Sequence, residues 1–366
     1  MKIGIDGRAL QGAPRGGVGQ YTYHLLHALF AIDHESEYVV WYNGAGRIDV
    51  PNFLQHQNVR VVRTHWPNKV LNAGMKVWGW PRLDSVILTE PRVDIFFLPN
   101  PNFIALSAGM KLVTVAHDLA FEHFPEHFSW QSRLWHAAVN PRALFQRADR
   151  VIAVSEHTKD DLVETYGIGR EKVRVFYPGV KVMQNTECKM HNDGAYILYL
   201  GALEPRKNIV GILAAYKMLK PRERLVLAGL STPYVKHLKK RIAQSKLSAQ
   251  IALKENPSEA EKAVLYHGAK LFVYPSFYEG FGFPPLEAMS YGIPVVASSA
   301  ASVPEVCGEA AVLVSPWKVE EIKEGMRVLL EDDAVRARYI AAGFVRVRKF
   351  SWEQCARQTL QMFSSL

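Results

Sequence analysis

The chain alternates, twice over, short apolar β-branched runs with longer stretches of helical period. Runs over 2–5, 38–42, 59–62, 95–98, 112–116, 150–154 and 173–175 predict strands, and 20–32 and 129–148 predict helices among them. Strands that are apolar along their whole length are buried on both faces. A parallel sheet covered by its own crossover helices produces that burial. The pattern stops at 181–194, KVMQNTECKMHNDG, which is polar and without period and reads as a linker. A second series follows, with strands over 196–201, 225–228, 250–253, 271–273, 294–297 and 311–314, and helices over 233–244 and 259–266. Segments 319–330, 333–349 and 352–364 read as closing helices. The expected architecture is α/β, with two doubly wound halves over 1–182 and 183–349 and a last helix, 350–366, returning to the first half. Two such halves facing each other would create a cleft at the carboxyl ends of both sets of strands, where open α/β sheets bind ligands.

Composition agrees with this and removes other classes. A length of 366 residues suits two domains, and 48% hydrophobic with 22% charged residues excludes a disordered, collagenous or coiled-coil chain. The net charge of +9, from 44 Lys+Arg against 35 Asp+Glu, points to anionic partners: nucleic acid, acidic lipid or phosphate-bearing substrates. Residues 1–180 hold 19 basic and 17 acidic side chains, and 181–366 hold 25 and 18, so the excess lies in the second half. A nucleic-acid binder would want an aromatic-interleaved basic sheet or a known module, and none is seen, so no nucleic-acid partner is expected. Cys188, Cys307 and Cys355 are too few and too widely spaced for a disulfide framework or a zinc pair, which fits a reducing compartment. The start is too polar for a signal peptide, and no apolar run approaches the roughly 20 residues of a membrane span. A cytoplasmic protein, soluble or peripheral on the inner face of the membrane, is expected.

Four segments hold residues suited to chemistry. The first strand runs into Asp6-Gly7-Arg8 and then Pro14-Arg15-Gly16-Gly17-Val18-Gly19, just before a helix. Glycines at a helix N-terminus let an anion approach free N–H groups, although a plain strand–helix turn would look the same. His117-Asp118 follows a strand, where the histidine could donate to a substrate hydroxyl or simply be a loop residue held by its neighbour. His123, His127 and His136 lack the spacing of a zinc-binding helix. After strand 196–201 comes Ala202-Leu203-Glu204-Pro205-Arg206-Lys207-Asn208. Its adjacent cations suit a diphosphate, the guanidinium as a fork and the ammonium as a point charge, or else are two solvated surface cations. The densest segment is Pro275-Ser276-Phe277-Tyr278-Glu279-Gly280-Phe281-Gly282-Phe283-Pro284-Pro285-Leu286-Glu287. Glu279 stands in a glycine-rich loop able to reach sugar hydroxyls. Glu287 stands in the helix that Pro284-Pro285 begins, able to grip the two hydroxyls of a ribose.

This last segment resembles the E-x7-E signature of the family-4 retaining glycosyltransferases, which have the GT-B fold of two Rossmann-like domains. The order of the other segments reinforces it. Gly16–Gly19 resembles the family's N-terminal loop, His117-Asp118 its HD loop, and Val154-Ser155-Glu156-His157-Thr158 the segment before the linker. Tyr177-Pro178-Gly179-Val180 resembles the end of its first domain. Glu204-Pro205-Arg206-Lys207-Asn208 resembles the E-P-R-K-N form common among mannosyl- and related transferases.

The resemblance implies an N-terminal acceptor-binding domain and a C-terminal domain that binds a nucleotide-sugar donor. Arg206 and Lys207 would neutralise the donor diphosphate, Glu279 would bind the donor sugar and Glu287 the ribose. His117 would contact the sugar near its reacting face. Gly282, Phe283 and Pro284 would shape the phosphate end, with Gly17, Gly201, Leu253, Gly280 and Phe281 also on the donor side. Gly16, Gly19 and Asp118 would lie on the acceptor side. No metal or other cofactor is implied, and no Asp-x-Asp motif is present. Two departures stand out. Ala202 replaces the basic residue common after the strand's glycine, and Leu253-Lys254-Glu255, where the base should lie, departs from the usual G-x-V.

The reaction implied is transfer of a mannose- or glucose-like sugar to a saccharide or lipid-linked acceptor, in polysaccharide or lipopolysaccharide assembly. Direct front-side transfer is favoured over double displacement through Glu279. A nucleotide-sugar hydrolase or epimerase on the same scaffold is the rival. Trp66, Trp78 and Trp80 interleave with Lys69, Lys76 and Arg82, and Trp130 and Trp135 stand beside Arg133 and Arg142. That composition suits a peripheral membrane contact and equally a partly buried helix with cationic edges.

Overall fold

The computed structural model describes residues 1–11, 16–44, 56–87, 92–181 and 196–366. The expected linker at 181–194 therefore lies outside the described residues except for Lys181, as do Pro14, Arg15 and Cys188. The chain divides into two compact units, one of Met1–Gly179 with Ser351–Leu366 and the other of Val180–Phe350.

The first unit is built on seven parallel strands: β1 Lys2–Asp6, β2 Glu37–Asn43, β3 Val59–Thr64, β4 Ile95–Leu98, β5 Lys111–Ala116, β6 Arg150–Ala153 and β7 Val173–Val175. Their spatial order is β3-β2-β1-β4-β5-β6-β7. Ile3 pairs with both Tyr38 of β2 and Ile95 of β4, so β1 is flanked on both edges. The order reverses at the β1/β4 boundary, the switch point of a doubly wound sheet. Ile3, Ile5, Val40, Phe96, Phe97, Val113, Val115 and Ile152 are buried, which is why these strands read as continuous apolar runs. The last helix, Trp352–Ser364, packs on the helix Gly17–Ile32, with Trp352 stacked on His24 at 5.3 Å and edge-on to Tyr21 at 5.6 Å. Gly179 explains itself here: a Cβ would come within 2.2 Å of the Trp352 backbone nitrogen.

The second unit has six parallel strands: β8 Tyr196–Leu200, β9 Arg224–Gly229, β10 Ile251–Glu255, β11 Ala269–Tyr274, β12 Val295–Ser298 and β13 Val312–Val314. Their order, β10-β9-β8-β11-β12-β13, repeats the same winding, with its switch point between β8 and β11.

One expected helix is corrected. The stretch 129–148 is two helices, Trp130–Val139 and Pro141–Arg147. Asn140 at φ 55° ends the first and caps the second by accepting from the Ala143 N–H. Pro141 has no N–H to continue the first helix but suits the first turn of the next. The helix Asn68–Trp78 was not anticipated. Among the described residues no helix is long and apolar enough to cross a membrane.

Candidate active site

The switch point of the second unit gathers the densest set of predicted residues. β8 and β11 are neighbours, so the loops leaving their carboxyl ends must meet although some 70 residues separate them in sequence. The β8 loop turns at Gly201 and passes through a short 3-10 turn, Pro205–Lys207. Gly229, at the end of β9, has φ 152°, and a Cβ there would lie 1.5 Å from the Gly201 carbonyl oxygen. That contact fixes how the β8 loop leaves the sheet. Tyr199 donates to the Ala202 carbonyl at 2.8 Å, so the backbone at Ala202 is held by a side chain from β8.

Asn208 closes the loop. Its Oδ1 accepts from the Gly211 N–H and caps helix Ile209–Leu219, while its Nδ2 donates to the Pro275 and Pro316 carbonyls at 3.1 and 2.6 Å. One side chain thus joins the loops after β8, β11 and β13. Sequence reasoning assigned Asn208 no task; its place just before an apolar helix was the available signal.

Lys207 Nζ lies 2.6 and 2.7 Å from the two Glu279 oxygens, and the Tyr274 hydroxyl donates to Glu279 Oε1 at 2.8 Å. Arg206 donates to the Tyr278 carbonyl at 2.6 Å and to Glu204 at 2.9 Å, and approaches Glu279 Oε2 at 3.4 Å. Arg206 and Lys207 are therefore not solvated surface cations. Burial by itself would raise the Glu279 pKa, but the Lys207 and Arg206 charges outweigh it and hold the carboxyl below its ordinary range. Ser302 Oγ sits 2.9 and 3.0 Å from the Glu279 and Phe281 carbonyls, bracing the glycine-rich loop from outside.

Glu287 lies in helix Phe283–Ser290, which Gly282 caps and whose first turn holds Pro284 and Pro285. It accepts from the Tyr266 hydroxyl at 2.7 Å, and burial pushes its carboxyl up, against that hydrogen bond. The two glutamates of the E-x7-E segment thus sit in opposite environments, one pinned as an anion by cations and one desolvated. The Phe281 side chain is buried, edge-on to Phe283 at 5.1 Å and Phe350 at 5.5 Å, because an apolar ring gains more from that packing than from an open surface. Phe281 therefore offers a ligand its backbone only. Leu253 stands on the edge strand β10, two strands from β8, where it is partly exposed.

In the first unit, His117 follows β5, and its Nε2 lies 2.7 Å from the Pro99 carbonyl at the end of β4. A carbonyl can only accept, so Nε2 carries the proton. Burial lowers the His117 pKa, with the Pro99 carbonyl and Asp118 opposing. The neutral ring then presents Nδ1 as an acceptor, which corrects the expected donor role. Tyr21, on the glycine-led helix, packs edge-on to His117 at 4.9 Å. Asp118 accepts from the Ala120 N–H at 3.0 Å and holds the turn. Gly16 caps helix Gly17–Ile32, and a Cβ at Gly16 or Gly17 would meet nothing within 4 Å. These two glycines are therefore not required by the chain's own packing, whereas Gly19 is buried in the helix. Among the described residues no group of three or more His, Cys, Asp or Glu side chains could hold a metal ion.

Comparison with known proteins agrees with this fold. The family model for "Glycosyltransferase Family 4" matches residues 15–184, and that for "Glycosyl transferases group 1" matches 187–346. The O-antigen chain mannosyltransferase B of Escherichia coli is 28% identical, over 96% of this chain and 97% of its own length. The serotype-specific mannosyltransferase WbdA of Escherichia coli is 31% identical over 70% of this chain, which spans about a third (34%) of that longer protein. Among solved structures, sucrose-phosphate synthase from Thermosynechococcus elongatus superposes with a TM-score of 0.76 at 19% identity, covering 100% of this chain and 98% of its own. Anabaena Alr3699/HepE, solved with UDP and glucose, does so at 0.71 and 21% identity over the whole of both chains. These structures share the GT-B fold. On the two family matches, which between them account for nearly the whole chain, the protein belongs to the group 1, family 4 glycosyltransferases and is a glycosyltransferase.

Proposed function

We propose that the chain is a retaining, metal-independent mannosyltransferase. It would take the sugar from a nucleotide-diphosphate donor and pass it to a saccharide or lipid-linked acceptor in cell-surface polysaccharide assembly. The observation behind this is the Lys207–Glu279–Arg206 cluster at the β8/β11 switch point, where a doubly wound sheet binds its ligand. Two cations held there by one carboxylate are placed to share their charge with a diphosphate as it leaves, the work a metal ion does elsewhere. Glu287 suits the ribose, since a desolvated carboxylate gains most from two hydroxyl donors. Mannose as the sugar is supported by the relatives' names.

In this reading Glu279 binds and does not attack. Its charge is already balanced by Lys207 and Arg206, which weakens it as a nucleophile. The acceptor hydroxyl adds to the sugar carbon on the face the diphosphate leaves, and its proton passes to the departing phosphate oxygen. Neutral His117, with Nδ1 as acceptor, orients a sugar hydroxyl.

A thermal-shift panel of UDP-, GDP- and ADP-sugars tests the donor. Stabilisation by one of them, and donor turnover that rises with added saccharide acceptor, are the expected results. Silence from all donors would sink the reading, and trapping a sugar on Glu279 would overturn the front-side mechanism. We also propose a peripheral membrane contact. Trp78 and Trp80 are 75% and 66% exposed beside exposed Val70 and Val77. Flotation with liposomes containing anionic lipid is expected for the native chain and reduced for Trp78→Ala/Trp80→Ala; equal flotation of both would discard it.

A further inference from the structure

The first unit holds a cavity of about 250 Å³ just beyond the His117–Asp118 loop, lined among others by Phe121, Glu122, Arg133, His136, Asn140 and Arg142. Its residues come from the helix Trp130–Val139, the start of Pro141–Arg147 and the short helix Ala120–His123. Asn140, at φ 55°, turns the chain between the first two and itself lines the space. Arg133 and Arg142 are exposed, and among the described residues neither is in an ion pair. Glu122 accepts from the Tyr166 hydroxyl at 2.7 Å, so the lining holds two unpaired guanidiniums against one carboxylate that already has a donor. His136 is stacked on Phe121 at 4.1 Å, and its Nδ1 is buried without a hydrogen-bond partner. The Asp118 charge acts on His136, which ties this cavity to the loop of the candidate site.

The same helix carries an apolar surface on the same stripe. Trp130, Arg133, Leu134 and Ala137 stand at i, i+3, i+4 and i+7, so they share one face. Trp130 and Leu134 are 66% and 60% exposed, and the helix buries no residue at all. Trp135 extends this surface, edge-on to His136 at 5.0 Å. A cationic cavity would suit any anion, and an apolar shelf any hydrocarbon. The two on one helix face suit a molecule that has both.

We propose that this cavity binds the phosphate of a lipid-linked acceptor, with Arg133 and Arg142 forking the phosphate oxygens and Trp130 and Leu134 receiving the start of its hydrocarbon chain. The proposal rests on the reading of the acceptor as lipid-linked and names where that lipid's phosphate goes. A guanidinium matches a phosphate with two parallel N–H donors, and each such pair is a strong, directional contact.

The test uses the full chain and titration calorimetry with three probes: farnesyl phosphate below its micelle concentration, farnesol and inorganic phosphate. Farnesyl phosphate is expected to bind, and the other two to bind at least about tenfold more weakly. Arg133→Ala/Arg142→Ala should weaken farnesyl phosphate by about tenfold or more, and Trp130→Ala/Leu134→Ala should do so by a smaller factor. All four positions are exposed, so Tm should hold in both variants. Equal binding of inorganic phosphate would make this a bare anion site and overturn the proposal. Equal binding of farnesol, no binding of farnesyl phosphate, or an unaffected arginine variant would overturn it too. The nucleotide-sugar thermal shift, run on the same arginine variant, separates the two readings. Its persistence with farnesyl phosphate lost supports the cavity assignment, whereas a native chain that answers farnesyl phosphate but no donor strikes the proposed nucleotide-sugar donors alone.

Discussion

Lys207 Nζ is held 2.6 Å from Glu279 Oε1 and 2.7 Å from Oε2, with each residue only 6% exposed. A buried pair of this kind is not retained for stability, because desolvation of both ions offsets much of their attraction. Its position at the switch point gives it a different reason to exist.

Breaking the pair from one side should be costly. Lys207→Ala leaves Glu279 buried without its nearest cation, held by the longer Arg206 contact and the Tyr274 hydroxyl, and a loss of about 3–5 kcal/mol is expected from chemical denaturation. Lys207→Met/Glu279→Gln removes both charges and should recover most of that loss, yet transfer no sugar. The acid side has a defined sign. The Glu279 pKa is lowered on folding, so its contribution to stability is present above its ordinary value of 4.5 and fades as the pH falls below it. The stability difference between the native chain and Lys207→Ala should narrow accordingly.

Glu287→Gln is expected to stabilise the protein at pH 7. The native carboxyl has its pKa raised by burial, so the ionised form costs stability that returns only as the pH falls and the group protonates. Glutamine keeps an oxygen to accept from Tyr266 without the charge. Melting curves should show the variant ahead at pH 7 and level with the native chain near pH 4. Donor binding should weaken by about tenfold or more if the carboxylate holds the ribose.

The His117 ring must be neutral to offer Nδ1 as an acceptor. Its pKa is lowered by burial, so the neutral form persists below the ordinary 6.5. The pH profile of kcat/KM should stay flat through pH 6.5 and fall only in more acid solution. A limb centred at or above 6.5 that vanishes in His117→Ala would contradict this.

Gly229→Ala should be far more damaging than its size suggests. The added methyl meets the Gly201 carbonyl oxygen, and φ 152° is strained for alanine, so a loss of about 3 kcal/mol or more is expected. Gly16→Ala, with open space around it, should leave Tm nearly unchanged. If Gly229→Ala melts with the native chain, the contact between the β8 and β9 loops is wrong.

Much of the scaffold was legible because parallel strands are apolar on both faces. The run at 95–98 and the closing helix 352–364 were read to the residue, since Ile95-Phe96-Phe97-Leu98 has no polar residue and Ser351 caps the closing helix. The helix at 129–148 was overextended because its amphipathic period runs through Asn140 without a change of phase. Asn68–Trp78 was missed because its exposed Val70, Val77 and Trp78 blur the polar face of an ordinary surface helix. Residue types at motif spacing singled out Glu279, Glu287, Arg206 and Lys207, and the structure brings Arg206 and Lys207 onto Glu279. Tyr266, Tyr274, Asn208 and Ser302 were not found, because each acts on a residue distant in sequence and none has a local pattern of its own.

The sequence by itself determined that the chain has two doubly wound halves and that its densest glycine and charged clusters lie in the loops after particular strands. Both follow from local signals: apolar runs, turn residues and the spacing of charged groups. Only the tertiary structure decided which charge meets which. Neighbouring strands at the switch point are far apart in the chain, so the pairing of Lys207 with Glu279, the opposite shifts of Glu279 and Glu287, and the tautomer of His117 depend on contacts that no local window contains. Burial then sets their protonation, because a charge withdrawn from water is stable only beside the partner that the fold supplies.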